Sequence, residues 1–171
     1  NTPETFDVKN YLTIQRHKQS NELERVQDDI SENIITTVDD SKRKHQQTVD
    51  LTQLSCLYIE DQVDSQILFK VQMKELRELK FAVSFEEALP LLDQHHFDFI
   101  VMDINLQGEY NGLDALKIIH KMPQYETIPI IAVTAYVLPG DREKFITVGF
   151  NDFISKPIFR DKMIESLEKI F

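Results

Sequence analysis

The sequence has little of several residue types, and each shortage excludes a class of protein. A single cysteine, Cys56, rules out an internal disulfide and favours a reduced, cytoplasmic setting. Lysine and arginine number 19 against 29 aspartate and glutamate residues, and the net charge of -10 disfavours direct binding of nucleic acid. No apolar run is long enough to cross a bilayer and no signal peptide opens the chain, so this segment is expected to make no membrane contact.

Glycine is also scarce, and its distribution divides the chain. All four glycines lie after residue 100, whereas residues 1–50 contain none. In that first region Leu23, Val26, Ile30 and Ile34 recur at helical spacing, which predicts an amphipathic helix over about 7–37, followed by a polar linker over 39–50. The predicted organisation is therefore a helical extension with its linker over 1–50 and a folded domain over 52–171. The apolar stripe is expected to pack against that domain, a second copy or a coiled-coil partner.

From residue 54 onward, short apolar runs alternate with amphipathic stretches. Two runs, 100–102 and 130–133, are apolar at every position, so both faces of these strands must be covered, as in a parallel sheet between helices. The predicted fold class is a doubly wound α/β domain with a five-stranded parallel sheet. The predicted strands are 56–59, 81–83, 99–102, 128–133 and 152–154, and the predicted helices are 63–76, 85–94, 112–121, 138–148 and 159–170.

Polar side chains stand at the ends of four predicted strands. Glu60 and Asp61 follow the first strand, Asp103 the third, Thr134 the fourth and Lys156 the fifth. The carboxyl ends of parallel strands meet at one edge of the sheet, where ligands bind. Carboxylates held together repel one another unless a cation lies between them, and ligands that are all oxygen favour Mg2+. An ammonium and a hydroxyl suit phosphoryl oxygens, so the set predicts an aspartate nucleophile that forms an aspartyl phosphate.

These residues belong to short motifs in a fixed order along the chain. The motifs are YIED at 58–61, IVMD at 100–103, NG at 111–112, VTA at 133–135 and SKP at 155–157. Together they give residues 52–171 a pattern that resembles the receiver domain of two-component response regulators. The run over 139–158 is most similar to receivers fused to hybrid sensor histidine kinases. The resemblance implies a flavodoxin-like sheet with strand order 2-1-3-4-5.

The resemblance also implies a role for each strand-end residue. The phosphoacceptor would be Asp103, and the phosphoryl group would be contacted by Thr134 and Lys156. The remaining assignments are Mg2+ ligation by Glu60, Asp61, Asp103 and the backbone carbonyl of Asn105, switching by Thr134 and the aromatic Phe153, and a cis peptide bond before Pro157.

The function that the resemblance implies is a phosphorylation-controlled switch. A histidine kinase or a histidine phosphotransfer domain would donate a phosphoryl group to Asp103 in a Mg2+-dependent reaction, and the output surface around the fifth strand would change. The parent protein would be a hybrid histidine kinase or a stand-alone response regulator, and no turnover of a dedicated substrate is expected from this chain. A homodimer through the N-terminal helix or the fifth-strand face is a further expectation.

Three features depart from the receiver pattern, and two other functions stay open. Glu60 replaces the commoner aspartate, Gln107 stands where proline is usual, and the path from Asp103 to Gly112 is one residue longer. A haloacid-dehalogenase-like phosphohydrolase also uses an aspartate nucleophile with Mg2+, but it is expected to carry a second aspartate where this chain has Asn105. The other alternative is an interaction module that works without phosphorylation.

Overall fold

The computed structural model describes residues 48–171, where five strands alternate with five α-helices. The predicted helix over 7–37 lies outside the described residues, so the division into 1–50 and 52–171 stays a prediction. In the described part, no helix combines the length and the apolar character that crossing a membrane requires. The strands are β1 (Ser55–Ile59), β2 (Glu78–Ala82), β3 (Phe99–Asp103), β4 (Ile130–Thr134) and β5 (Asp152–Ser155), and the helices are α1 (Val63–Gln72), α2 (Phe85–Gln94), α3 (Gly112–Ile119), α4 (Asp141–Val148) and α5 (Arg160–Ile170).

The strands form one parallel sheet in the order β2-β1-β3-β4-β5, which confirms the predicted flavodoxin-like topology. Every residue of β1, β3 and β4 is buried, as expected of central strands covered on both faces. Successive side chains of β1 enter opposite layers. Leu57 and Ile59 belong to the core cluster formed with α2, α3 and α4, whereas Cys56 and Tyr58 belong to the cluster formed with α1 and α5.

The second strand is where the sequence-based prediction was wrong. It was expected over 81–83, but β2 spans Glu78–Ala82, and α1 ends at Gln72 instead of continuing to residue 76. Within residues 48–171 the strand pairs only with β1 and lies at the edge of the sheet, so most of its residues are half-buried and two of them are charged. An edge strand of this kind lacks the continuous apolar run that marked β3 and β4.

Candidate active site

The structure brings the predicted strand-end residues to one edge of the sheet. Asp103 and Thr134 are the last residues of β3 and β4, whereas the prediction placed each of them directly after its strand. Glu60 and Asp61 follow β1, and Lys156 follows β5. Four of the five line a common cleft of about 570 Å3, and Glu60 is fully buried beside it. The edge is shared because all five strands run in the same direction.

Lys156 bridges two of the buried carboxylates. Its Nζ donates to Asp103 Oδ2 at 2.6 Å and forms an ion pair with Glu60 Oε2. The side chains are 9% exposed for Lys156, 6% for Asp103 and 0% for Glu60, so little water screens these charges. Burial alone lowers the pKa of Lys156, but the hydrogen bonds to Asp103 and Glu60 outweigh it, so the pKa is raised and the ammonium is retained.

Glu60 is surrounded by donors. Oε2 accepts from the Tyr58 hydroxyl at 2.8 Å as well as from Lys156, and Oε1 accepts from the backbone N–H of Gln62 at 2.9 Å. Burial raises the pKa of the Glu60 carboxyl, and these donors oppose that shift only in part. Hydrogen-bond donors thus point at both oxygens of Glu60, as expected for an ionised carboxylate, which can only accept hydrogen bonds.

Tyr58 is a site residue that the sequence-based prediction did not identify. Burial and the adjacent Glu60 carboxylate raise the pKa of its hydroxyl, so the hydroxyl stays protonated and acts as the donor in this pair. A signal was present in the sequence, because Tyr58 and Glu60 are two residues apart along β1 and its extension. Residues at that spacing lie on the same face of a strand.

Asn105 fixes the turn that follows the phosphoacceptor candidate. Its backbone N–H donates to Asp103 Oδ1 at 2.9 Å, and its side-chain amide donates to Thr134 Oγ1 at 3.0 Å. Thr134 Oγ1 in turn donates to the carbonyl of Tyr136 at 3.3 Å. The hydroxyl of Thr134 is therefore tied to both neighbouring loops, a role that the sequence did not indicate.

The loop over 107–111, which carries two departures from the receiver pattern, is held by the start of α2. Glu86 Oε1 accepts from the backbone N–H of Glu109 at 3.1 Å, and the Phe85 and Tyr110 rings meet edge to face with centroids 5.6 Å apart. Backbone N–H donors, including that of Glu86 itself, lower the pKa of the Glu86 carboxyl. These contacts connect α2 to the loop beside the cleft.

Helix α3 begins directly against the backbone at the end of β3. Asn111 caps it through a capping box with Asp114, and Gly112 is the first helical residue. A Cβ at Gly112 would lie 2.7 Å from the carbonyl oxygen of Asp103 and 3.0 Å from Cα of Ile104. Only glycine allows this approach, so the NG motif has a steric reason in addition to its capping role.

Phe153 lies in the core below the cleft. Its ring stacks on Phe145 of α4 with centroids 5.3 Å apart and an interplanar angle of 15°. Arg142 of the same helix donates to the carbonyl of Phe153 at 3.1 Å and pairs with the buried Asp152. These contacts join α4 to β5. The switching role of Phe153 stays a prediction.

The contact between α4 and β5 includes the buried carboxylate of Asp152. Burial alone raises its pKa, but the Ser166 hydroxyl, the N–H of Phe153 and the Arg142 guanidinium together hold it below its ordinary value. The Ser166 hydroxyl makes no hydrogen bond of standard geometry, so we assign most of the effect to the N–H at 2.8 Å and the guanidinium.

The donor set at the cleft fits a hard divalent cation. One carboxylate oxygen from each of Glu60, Asp61 and Asp103 lies within 4.8 Å of the other two. All three donors are oxygen, which suits Mg2+ better than softer metals. The Lys156–Pro157 peptide bond beside them is cis.

The comparisons with known proteins agree with this geometry. A family model described as the response regulator receiver domain matches residues 56–168. The chain belongs to this family. The predicted resemblance to the receiver domains of two-component systems is therefore confirmed.

Two relatives show in what kinds of protein similar sequences occur. The polar-differentiation response regulator DivK of Brucella ovis is 37% identical over 107 residues, which is 58% of this chain and 86% of DivK. The signal transduction histidine-protein kinase BarA of Escherichia coli is 35% identical over 80 residues, which is 47% of this chain and 9% of BarA. Receiver relatives thus occur both as nearly whole regulators and as small parts of kinases.

Solved structures support the same assignment for the receiver domain. The receiver of a sensor histidine kinase from Pseudomonas aeruginosa, with a magnesium ion in its active-site cleft, is 27% identical with a TM-score of 0.59; the match covers 68% of this chain and 95% of that one. The chemotaxis response regulator CheY4 of Vibrio cholerae is 21% identical with a TM-score of 0.61, covering 69% of this chain and 98% of CheY4, and it supports the fold alone.

Proposed function

We propose that this receiver domain accepts a phosphoryl group on Asp103 from a phosphohistidine of a histidine kinase or a histidine phosphotransfer domain. The observation that supports this most is the setting of the Asp103 carboxylate, which lines an open cleft. Lys156 donates to one of its oxygens and the Asn105 N–H to the other. Each oxygen keeps acceptor capacity, and a carboxylate oriented at such a cleft is suited to in-line attack on phosphorus.

The transfer balances with the groups of this chain and the donor. A carboxylate oxygen of Asp103 forms a bond to phosphorus while the phosphorus–nitrogen bond of the phosphohistidine breaks. The electron pair of that bond stays on the imidazole nitrogen, and the ring leaves. The ammonium of Lys156 would stabilise the oxygens of the phosphoryl group as it arrives, and the hydroxyl of Thr134 would do so once its O–H turns from the carbonyl of Tyr136.

Mg2+ is the cation that we propose for the site. When bound, it would neutralise the carboxylates and part of the charge on the transferred phosphoryl group. The related Pseudomonas receiver with magnesium in its cleft supports this choice. The residues that would hold the ion are Glu60, Asp61 and Asp103, with the backbone carbonyl of Asn105.

Phosphorylation would act as a switch on the β5 side of the domain. The contacts of α4 with Asp152 and Phe153 join that helix to β5, and the cleft is lined in part by Lys144 and Phe145 of α4. A change in charge at Asp103 would therefore bias the α4–β5 surface, the proposed output face. A homodimer through this face, a cytoplasmic location and a hybrid-kinase or stand-alone parent are part of the same proposal.

The two alternatives gain no support from the site. A phosphohydrolase of the haloacid-dehalogenase type needs an acid or base near position 105, and the side chain of Asn105 instead donates to Thr134. An interaction module without phosphorylation does not require three carboxylates that converge on one point, although they do so here.

The experiment is phosphorylation by a small donor that carries a phosphorus–nitrogen bond, as phosphohistidine does. The chain is incubated with phosphoramidate and Mg2+, and its intact mass is measured. We expect a gain of one phosphoryl group that requires Mg2+ and is absent from Asp103→Asn. The matched control is Asp64→Asn, which makes the same chemical change at an exposed position of α1 and should be phosphorylated like the wild type.

Two results would overturn the proposal. One is a mass gain that persists in Asp103→Asn, which would place the acceptor elsewhere. The other is no gain in the wild-type chain with phosphoramidate or acetyl phosphate at millimolar Mg2+, which would favour the phosphorylation-independent module.

A further inference from the structure

The hydroxyl of Tyr58 lies inside the core yet reaches the candidate metal site. The side chain is fully buried in β1, with its ring against Phe69 at 4.8 Å and Phe81 at 6.2 Å between centroids. A buried hydroxyl without a partner is costly, and the partner here is Glu60 Oε2 at 2.8 Å. The ring is thus anchored in the apolar layer while its tip contacts the carboxylate.

Glu60 has more conformational freedom than the aspartate that is commoner in the receiver pattern. Its side chain has one more methylene and one more rotatable bond, and fixing such a side chain costs entropy. In this chain three donors fix it: the Tyr58 hydroxyl, the Gln62 N–H and the Lys156 ammonium. Of these, Lys156 is shared with Asp103, so it cannot orient Glu60 alone.

We propose that Tyr58 is a positioning residue that orders the Glu60 carboxylate before Mg2+ binds. A carboxylate offers about four acceptor directions, and the three donors leave acceptor capacity for an ion. One oxygen of Glu60 already lies within 4.8 Å of those of Asp61 and Asp103. Tyr58 is thus the partner that suits the longer glutamate side chain, and this inference rests on the proposed Mg2+-binding function.

The experiment is a double-mutant cycle read out by Mg2+ affinity. Tyr58→Phe keeps the ring in the core and removes the hydroxyl, and Glu60→Asp withdraws the carboxylate from it. The dissociation constant of Mg2+ is measured by isothermal titration calorimetry on the full, unphosphorylated chain. We expect Tyr58→Phe to weaken binding about tenfold when Glu60 is present, as is typical when a hydrogen-bond partner of a metal ligand is removed. In the Glu60→Asp background the same substitution should have almost no effect.

The matched control is Tyr125→Phe. Tyr125 is equally buried, but its hydroxyl donates to the backbone carbonyls of Leu92 and His95. None of these residues lines the cleft, so Mg2+ affinity should stay at the wild-type value in this variant.

A measurement on the wild-type chain avoids any loss of folding in the variants. The bonded, buried Tyr58 hydroxyl proton should exchange slowly and give an NMR signal that moves when Mg2+ is added, whereas that of Tyr125 should not move.

The outcomes separate this inference from the function on which it rests. If the wild-type chain binds no Mg2+, the proposed function fails and the inference fails with it. If the wild type binds Mg2+ but Tyr58→Phe binds equally well, only the inference fails. The inference would also be overturned if Tyr58→Phe weakened Mg2+ binding equally in the wild-type and Glu60→Asp backgrounds, because the hydroxyl would then act without Glu60.

Discussion

Replacing Lys156 with methionine tests whether the acidic cluster depends on its buried ammonium. Methionine preserves most of the volume of the side chain and removes only the charge and its hydrogen bonds. Glu60 and Asp103 would then stay buried without their common counter-ion. Removing one partner of a buried ion pair costs about 3–5 kcal/mol, a large part of the ~5–15 kcal/mol by which a typical domain is stable.

Urea denaturation at neutral pH, with and without Mg2+, measures the effect. With a denaturant slope of about 2 kcal/mol/M, a loss of that size lowers the urea midpoint by about 1.5–2.5 M in the absence of Mg2+. Mg2+ should restore part of the loss, because a bound cation replaces the missing positive charge. At a concentration about 100 times the dissociation constant, binding to the native state contributes about 2.7 kcal/mol.

The control is Lys162→Met, which removes an exposed lysine paired with Glu165 on the surface of α5. Its urea midpoint should match that of the wild type, because exposed pairs are screened by water. The reasoning would be refuted if Lys156→Met lowered the midpoint in Mg2+-free buffer by no more than Lys162→Met does.

Three further substitutions test parts of the fold. Asp152→Asn should lower the free energy of unfolding by about 1–2 kcal/mol at neutral pH. The pKa of Asp152 is lower in the native state than in the unfolded chain. Its contribution to the free energy of unfolding is therefore complete above the ordinary aspartate pKa and is lost as the pH falls through the native pKa. The acid denaturation curves of wild type and variant should therefore converge at low pH. Tyr125→Phe should cost about 1–3 kcal/mol in urea titrations, because the buried carbonyl of Leu92 and the half-buried carbonyl of His95 lose their donor. Phe145→Ala should lower the free energy of unfolding by about 3–5 kcal/mol, measured by calorimetry, since its stack with Phe153 is replaced by a cavity. For each of the three variants, a stability near that of the wild type would contradict the importance of the contact that was removed.

The parts of the fold that were predictable are those where burial leaves a pattern in the sequence. The all-apolar runs of β3 and β4 indicated central parallel strands, and both were found within two residues of their bounds. The edge strand β2 was misplaced because Glu78 and Lys80 interrupt its apolar residues. Its position is fixed instead by pairing with β1, a contact between distant segments that no local pattern contains.

The candidate site likewise has features that could be predicted from the sequence and features that could not. Glu60, Asp61, Asp103, Thr134 and Lys156 could be placed together because parallel strands end at one edge. Their mutual contacts could not be predicted. The bridge from Lys156 to two carboxylates depends on where a long side chain points. The hydrogen bonds of Asn105 and Glu86 likewise join segments far apart in sequence.

The close approach of Gly112 to the backbone of Asp103 has a mechanical consequence. Most neighbouring elements of a protein touch through side chains, whose rotations absorb small movements. Here the start of α3 and the end of β3 meet without any side chain of Gly112 between them, and the Gly112 N–H donates to the carbonyl of Ile104 at 3.3 Å. A displacement of the first turn of α3 therefore reaches the backbone that follows Asp103 directly, with no rotatable side chain to absorb it. Movement of α3 and movement of the strand end that carries Asp103 are therefore expected to be coupled through backbone atoms.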